Sequence, residues 1–408
     1  MTTSESVWTC PFRHDEALEF DPMLAKLRAE APVVRIRTPQ GEDAWLVTRH
    51  ELVRAVSADR RFAPAPLSGV LGPDHARPAS ETLAPSDSVY LMDAPAHSRL
   101  RRLITKVFTD AQVDRLRPAT QATVDALLEA MAERGAPADA VEQLAARLPL
   151  STACELLGVP GPDREPLRRW ATAMMSAGTP DLAAAAEGRA GLLAYFAELT
   201  VARRRRPKDD LLSALAMTRE GDMYLDQREV AFMGMLLLVA GHNTSTHQIG
   251  NIVYTLLTHP VQLARLRARP ELLPQAVEEL LRFIPFRQGV GIPRQATEDV
   301  ELDGVTVRAG ETVHVSYLTA NRDESVYERP DELDVERAGN TPSLTPHLAF
   351  GHGTHHCLGA HLARMELQVA VGSLLTRFPG LRLAVPAADI RWNTESIWRF
   401  PLELPVAW

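Results

Sequence analysis

One cysteine, Cys357, lies in the stretch Phe350-Gly351-His352-Gly353-Thr354-His355-His356-Cys357-Leu358-Gly359-Ala360, directly ahead of an amphipathic helical pattern that runs to Phe378. At a loop-to-helix junction, backbone N–H groups and the positive helix end favour a thiolate over a thiol. The thiolate is the form that binds a metal. Gly351, Gly353 and Gly359 remove side chains where the backbone would approach a flat ligand closely. A thiolate on iron pushes electron density towards bound dioxygen and favours O–O cleavage, the chemistry that oxygen insertion needs. Two other readings stand beside this one. A lone free cysteine is commonly a small buried hydrophobe, and His352, His355, His356 and His361 with Cys357 supply ligand types for a zinc cluster.

Three further segments carry polar residues at helical spacing. Glu279 and Arg282 in Glu278-Glu279-Leu280-Leu281-Arg282 are three apart and share one helix face, so they can pair, as exposed helix pairs often do. His97 and Arg101 in the segment 92–103 are four apart on one face and could clamp a carboxylate, although Arg99, Arg102 and Lys106 fit an exposed basic helix better. In Ala240-Gly241-His242-Asn243-Thr244-Ser245, inside a helical run from about Glu229 to Leu257, small residues permit close approach to a flat group. There Thr244 can bond back to the carbonyl four residues earlier and bend the helix.

The elements that must position these residues are mostly helical. From Asp21 to Ser57 the pattern reads helix, hairpin through Pro39-Gln40-Gly41, helix, and residues 62–90 read as a long loop. From His97 to His259 helical periodicity dominates, and beyond Pro285 alternation with turns at Asp303-Gly304 and Ala309-Gly310 marks a small β region. The run Arg203 to Arg206, before Pro207, reads as a solvated helix end.

The 408 residues, with 45% hydrophobic and 24% charged, exclude wholesale disorder. A net charge of −8 argues against a broad nucleic-acid surface. Three dispersed cysteines, Cys10, Cys154 and Cys357, imply no disulfide framework and fit a reducing, cytoplasmic setting. The N-terminus shows no signal-peptide pattern, and the longest apolar run, Val230 to Gly241, is too short to span a membrane and reads as a buried helix.

Together the segments resemble the cytochrome P-450 superfamily, whose haem-binding signature is Phe350-Gly351-x-Gly353-x-His355-x-Cys357-x-Gly359 with every fixed position present. The resemblance spans about Met92 to Gly359 by motif, with Ala320-Asn321-Arg322-Asp323 also matching. It implies a mainly α fold, a large helical region with a small β-sheet region, as one domain over 1–408. Cys357 is then the axial ligand of haem b, Phe350 shields its sulfur, and His97, Arg101, Arg294 and His355 hold the propionates. Ala240, Gly241 and Gly359 give room at the cofactor. Glu279, Arg282 and Arg337 form a buried network that supports the cysteine loop.

Thr244 would support proton delivery, usually with an acidic neighbour before it. Here that neighbour is Asn243, which cannot titrate, so the route must use Thr244, Ser245, His242 or solvent. The implied activity is monooxygenation of a moderate-size apolar or aromatic molecule in specialised metabolism, in a pocket lined from the 62–90 loop, the 170–182 region, Leu236, Val239, Ala240, Val290, Ile292 and Ile397. Electrons would come from NAD(P)H through a separate ferredoxin and ferredoxin reductase, with Arg99, Arg102, Lys106 and Arg364 as a docking face on a monomer that binds neither nucleic acid nor membrane. Oxidative C–C or C–N coupling of aromatic, cyclic-dipeptide-like substrates is the alternative outcome. A non-catalytic haem- or zinc-binding protein is the alternative of another class.

Overall fold

The computed structural model describes residues 8–9, 17–38, 41–65, 89, 92–175, 182–287, 291–339, 347–393 and 398–408. The chain divides into two compact units: Met1–Asp93, Pro274–Cys357 and Asn393–Arg399 in one, Ala94–Leu273, Leu358–Trp392 and Phe400–Trp408 in the other. Each is gathered from separate stretches, so no one linker of the kind that joins sequential domains separates them.

The first unit is built on a six-stranded sheet in the order Trp8–Thr9, Val33–Arg37, Asp43–Val47, Thr312–Val315, Ile292–Ala296, Phe62–Pro64. The central pairing of Thr312–Val315 with Asp43–Val47 is parallel, with Val313 opposite Trp45 and Val315 opposite Val47. Because side chains alternate along a strand, Trp45, Val47, Val313 and Val315 join one core cluster with Val53, Val56 and Phe62. Ala44, Leu46, Val34 and Ile36 fall on the opposite face against Leu24 and Leu27. His314, in register with Leu46, belongs to that second face.

The strand Phe62–Pro64 corrects the loop expected over 62–90. Three residues ending in proline show no period, yet they pair antiparallel with Ile292–Ala296 at the sheet edge, where a proline is tolerated. Residues 66–88 lie outside the described residues. The turns expected at Asp303-Gly304 and Gly310 are present, all three residues having positive φ, and the first closes the hairpin of Val300–Leu302 with Val305–Val307.

The second unit is helical. Its longest element is the Gln227–Thr258 helix, which begins in a reciprocal capping box between Asp226 and Glu229 and contains the apolar run from Val230. Gly234 lets the Leu182–Arg205 helix approach, since a Cβ there would stand 2.6 Å from the Phe196 ring. Among the described residues no helix is long and apolar enough to cross a membrane. The basic run is not wholly solvated, contrary to expectation. Arg203 is buried, with Nε donating to Asp210 at 2.6 Å and Nη2 to the Gly158 carbonyl at 2.6 Å. Asp210 in turn caps the Leu211–Met217 helix through Ser213 N, so one ion pair ties two helix ends together.

Candidate functional site

In the first unit the Leu273–Phe283 helix carries Glu279 and Arg282, both fully buried. Glu279 accepts from Arg282 Nε at 2.7 Å and Nη2 at 2.8 Å, from Arg337 Nε at 3.0 Å, and from the Asp334 N–H at 3.0 Å. Arg282 and Arg337 spend their remaining donors on the carbonyls of Asn321, Pro330, Glu328, Arg329 and Glu332. Two guanidinium groups sharing one carboxylate are strong, geometrically specific hydrogen bonds. The structure thus brings Glu279, Arg282 and Arg337 together.

A second tie was not foreseen. Glu278 and His347 are both fully buried, and His347 Nε2 lies 2.9 Å from Glu278 Oε2. His347 Nδ1 accepts from the Ala349 N–H at 3.2 Å, so the ring proton sits on Nε2 and is donated to Glu278. Asn321 Oδ1 accepts from the Leu348 N–H at 2.6 Å. These two contacts fasten the start of the cysteine loop to the helix and to the 320–323 segment. Residues 69 apart leave no local signal in the sequence.

Within the loop the Cys357 N–H donates to the Phe350 carbonyl at 2.9 Å. Gly351 and Gly353 have φ of +74° and +77°, and a Cβ on Gly353 would lie 2.4 Å from the Ser57 carbonyl. Both glycines therefore hold positive-φ turn positions, and Gly353 is also needed for the close approach of the loop to the Ser57 backbone. Gly359, and Gly241 on the long helix, are different: a Cβ at either would meet nothing within 4 Å. Cys357 is exposed, whereas Cys154 is buried and its thiol is pushed up to about 12 by desolvation. Of the two described cysteines, Cys357 alone is accessible to a metal.

Arg294, on Ile292–Ala296, is buried with Nε meeting no hydrogen-bond partner among the described residues. A buried cation with an idle donor fits an acceptor that the protein does not supply. In the first unit, an exposed thiol and a buried arginine with an idle donor fit a haem with its propionates. Among the described residues no three His, Cys, Asp or Glu groups converge as a metal site, and His361 hydrogen-bonds Asp114 at 2.9 Å instead. The zinc alternative loses its ligands.

In the second unit His97 is buried, and it and Arg101 lie on the Ala96–Val107 helix. On the long helix Thr244 donates to the Ala240 carbonyl at 2.7 Å and Asn243 Nδ2 to the Val239 carbonyl at 3.1 Å. Both thus bond back within an unbroken helix. Ser245 faces a group that the sequence reading missed, Glu366 on the Ala360–Arg377 helix. Its carboxyl is pushed up to about 8 by desolvation, partly opposed by the hydroxyls of Ser245 and Thr152. The Thr152 hydroxyl also lies 3.1 Å from the Leu148 carbonyl, to which it can bond back within its helix. In sequence Glu366 looks like an ordinary polar residue of an amphipathic helix.

His242 and His247 are held down to about 4 and about 3 by burial, with Arg168 adding to the first and His242 to the second, and His314 likewise sits at about 4. Below the ordinary value of 6.5 the unfolded chain takes up protons that these folded sites refuse. Their stability contribution is therefore complete above about pH 6.5 and lost as pH falls towards 4. Denaturant midpoints should drop between pH 7 and pH 5, and a flat profile over that range would contradict neutral burial of the three rings.

Of the expected pocket residues, Val239 is buried and Leu236, Ala240 and Ile292 are half-buried. Val290 and Ile397 lie outside the described residues. The expected docking cations are already engaged: Arg99 with Glu229 and the Tyr224 carbonyl, Arg102 with Glu220, Lys106 with the Arg219 carbonyl. They hold the Arg219–Tyr224 hairpin, so part of their charge is spent inside the unit.

A family model described as Cytochrome P450 matches residues 194–383. Nocardicin C N-oxygenase of Nocardia uniformis subsp. tsuyamanensis is 49% identical over 398 residues, 98% of each chain. Mycinamicin IV hydroxylase/epoxidase of Micromonospora griseorubida is 43% identical over 408 residues, 100% of each chain. Among solved structures, a cytochrome P450mel with biaryl coupling reactivity matches with a TM-score of 0.86 at 54% identity, covering 99% of this chain and 100% of that one.

Proposed function

Because the chain belongs to the cytochrome P450 family, we propose that this oxidoreductase monooxygenates a moderate-size apolar or aromatic small molecule in specialised metabolism. The observation that carries the reading is the exposed Cys357 in a loop fastened by Glu278–His347 and Asn321, beside the buried Glu279–Arg282–Arg337 network. Cys357 is the residue to ligate haem iron. Phe350 shields its sulfur, and His97, Arg101, Arg294 and His355 receive the propionates as charge-assisted partners. Haem, when bound, supplies an iron centre that activates dioxygen.

The protein's own part is proton handling. Asn243 holds its amide on the Val239 carbonyl and cannot titrate. His242, held down to about 4, is unprotonated at neutral pH and makes a poor donor. Glu366 keeps its proton at neutral pH, and the Ser245 hydroxyl facing it is placed to pass that proton on, with Thr244 as the neighbouring hydroxyl. Electrons come from NAD(P)H through a separate ferredoxin and its reductase, whose docking relies on Arg364 and on the charge left by the cations of the hairpin.

Oxidative C–C or C–N coupling is the second reading, favoured by Asn243 in place of an acid and by the biaryl coupling reactivity of one similar structure. The first test is the carbon monoxide difference spectrum of the reduced, haem-loaded protein. A strongly red-shifted Soret band is expected from thiolate ligation, and its absence from folded, haem-loaded protein would sink the reading. Product mass then separates the outcomes: a gained oxygen means hydroxylation, and joined substrates with lost hydrogens mean coupling.

A further inference from the structure

The Leu182–Arg205 helix runs antiparallel to the Gln227–Thr258 helix. Near its C-terminal end Arg204 Nη2 donates to the Leu225 carbonyl at 2.8 Å, just ahead of the long helix, whereas Phe196, earlier on the same helix, packs against Gly234. Arg189 lies seven residues before Phe196, and Gly241 seven after Gly234. Seven residues are about two turns, so each keeps the face of the residue it is counted from. This register sets Arg189 opposite Gly241. The Arg164–Met175 helix fixes the same place independently. A Cβ on Gly188 would stand 2.7 Å from the Trp170 carbonyl oxygen and one on Gly191 2.6 Å from the Trp170 ring. Arg168, in the same turn as Trp170, is near enough to His242 to help hold that ring neutral. The residues flanking Arg189 and the residue after Gly241 thus meet one turn of this third helix.

The two glycines of the long helix face different surroundings. At Gly234 the Phe196 ring takes the space of a side chain, 2.6 Å from the Cβ position, whereas a Cβ on Gly241 would meet nothing within 4 Å. Opposite that opening stands Arg189, half-buried. Its Nε is sealed from solvent without a hydrogen-bond partner, and its terminal nitrogens stay accessible and meet no partner among the described residues. Arg203, on the same helix, is used differently, with Nε on Asp210 and Nη2 on the Gly158 carbonyl. No acid answers Arg189 at this junction. Glu165 is taken by Arg168 at 2.6 Å, and Glu187 is exposed on the opposite side of the helix. His242 is neutral, and Asn243, its amide given to the Val239 carbonyl, carries no charge.

A guanidinium whose neck is held in a helix interface without a counter-charge is costly unless an anion arrives from outside the chain. The room for that anion is the opening at Gly241, which directly follows the pocket residue Ala240. We infer that Arg189 anchors a carboxylate carried by the substrate, so that the enzyme takes an apolar acid in preference to its neutral analogues. This inference rests on the monooxygenase reading and names the substrate class of that site. Two parallel N–H···O bonds from the terminal nitrogens to a carboxylate supply the discrimination. Phe196 marks the contrast: two turns along the same face an apolar ring closes the gap over a glycine, and at position 189 a cation leaves it open.

The test uses the haem-loaded holoenzyme with 4-phenylbutyrate, 3-indolepropionate and decanoate as probes, each against its methyl ester, and dissociation constants come from calorimetry. Wild type should favour the best acid over its ester by at least about tenfold, as charge-assisted hydrogen bonds warrant. Arg189→Met should bring the two within about twofold. It should also leave the thermal midpoint of the ligand-free holoenzyme equal or higher, because it removes a cation that the free protein does not neutralise. Arg189→Lys, which keeps the charge but not the fork, should fall between. Arg168→Gln removes an equal charge from the neighbouring helix and should leave the preference in place, which separates direct contact from the general field. Equal binding of acids and esters by wild type, binding of neither, or a preference that survives in Arg189→Met overturns the proposal. Loss of the preference in Arg168→Gln to the same extent as in Arg189→Met overturns it too, as does loss of haem from Arg189→Met, which would make Arg189 a propionate partner. The carbon monoxide spectrum of wild type separates these outcomes from failure of the monooxygenase reading, because calorimetry reports acid preference whatever the iron ligand is.

Discussion

Replacing Glu279 by alanine should cost about 3–5 kcal/mol of folding stability, the range seen when one partner of a buried ion pair is removed. Glu279 is the carboxylate on which both Arg282 and Arg337 converge, and its own exposure and that of Arg282 are 0%. Without it two guanidinium groups keep their carbonyl contacts but lose the charge that offsets their desolvation. Glu279→Gln preserves the shape and should still cost more than about 2 kcal/mol, because an amide offers one acceptor where the carboxylate offers two and carries no charge. Arg337→Ala should cost less, since removing Arg337 still leaves Glu279 and Arg282 as a neutralised pair. Urea unfolding midpoints with an unchanged m-value would measure these losses, and a double-mutant cycle between positions 279 and 337 would isolate the coupling. A Glu279→Gln protein within 1 kcal/mol of wild type would show that packing alone, without charge, holds this corner. Haem retention is a separate readout. Because Arg282 Nη1 also donates to the Asn321 carbonyl and Asn321 holds Leu348 N–H, loosening the network should release the start of the cysteine loop and weaken haem binding.

The parts of this site that the sequence made legible share one property, that their chemistry is local or carried by an ordered motif. The long helix was legible because its apolar run and small residues are contiguous, and its observed limits of Gln227–Thr258 lie within two residues of the expected Glu229 to Leu257 at each end. The cysteine segment was legible because its glycines, histidine and cysteine lie within eleven residues. What escaped were buried charges whose partners belong to no ordered motif. Arg203 sat in a basic run and read as solvated, whereas Asp210 and the Gly158 carbonyl bury it. Glu278 reads as one more acid beside Glu279 until His347 is placed against it. Glycine roles were also ambiguous, because a sequence does not distinguish positive φ at Gly353 from open space at Gly359.

Glu366 is the residue for which that blindness matters most, and Glu366→Gln should separate its two effects by pH. With the carboxyl raised from 4.5 to about 8, the folded protein holds a proton that the unfolded chain releases. Its contribution to stability is therefore full below about pH 4.5 and lost as pH rises to about 8. At about 1.4 kcal/mol per pKa unit the loss is a few kcal/mol, so Glu366→Gln, which never ionises, should be more stable than wild type at pH 8.5 and gain little at pH 5. Activity should move the other way. A buried acid that supplies protons through Ser245 is active in its protonated form, so the fraction of NADPH electrons appearing in product should fall in wild type with a midpoint near pH 8. In Glu366→Gln, assayed with a surrogate ferredoxin system, that fraction should be at least tenfold lower at pH 7 and independent of pH, the missing electrons appearing as hydrogen peroxide. General acid catalysis of ordinary strength justifies a loss of this size. A purely structural role for Glu366 predicts the stability gain without the uncoupling, and unchanged peroxide yield at pH 7 would assign the proton supply to Thr244 and solvent instead.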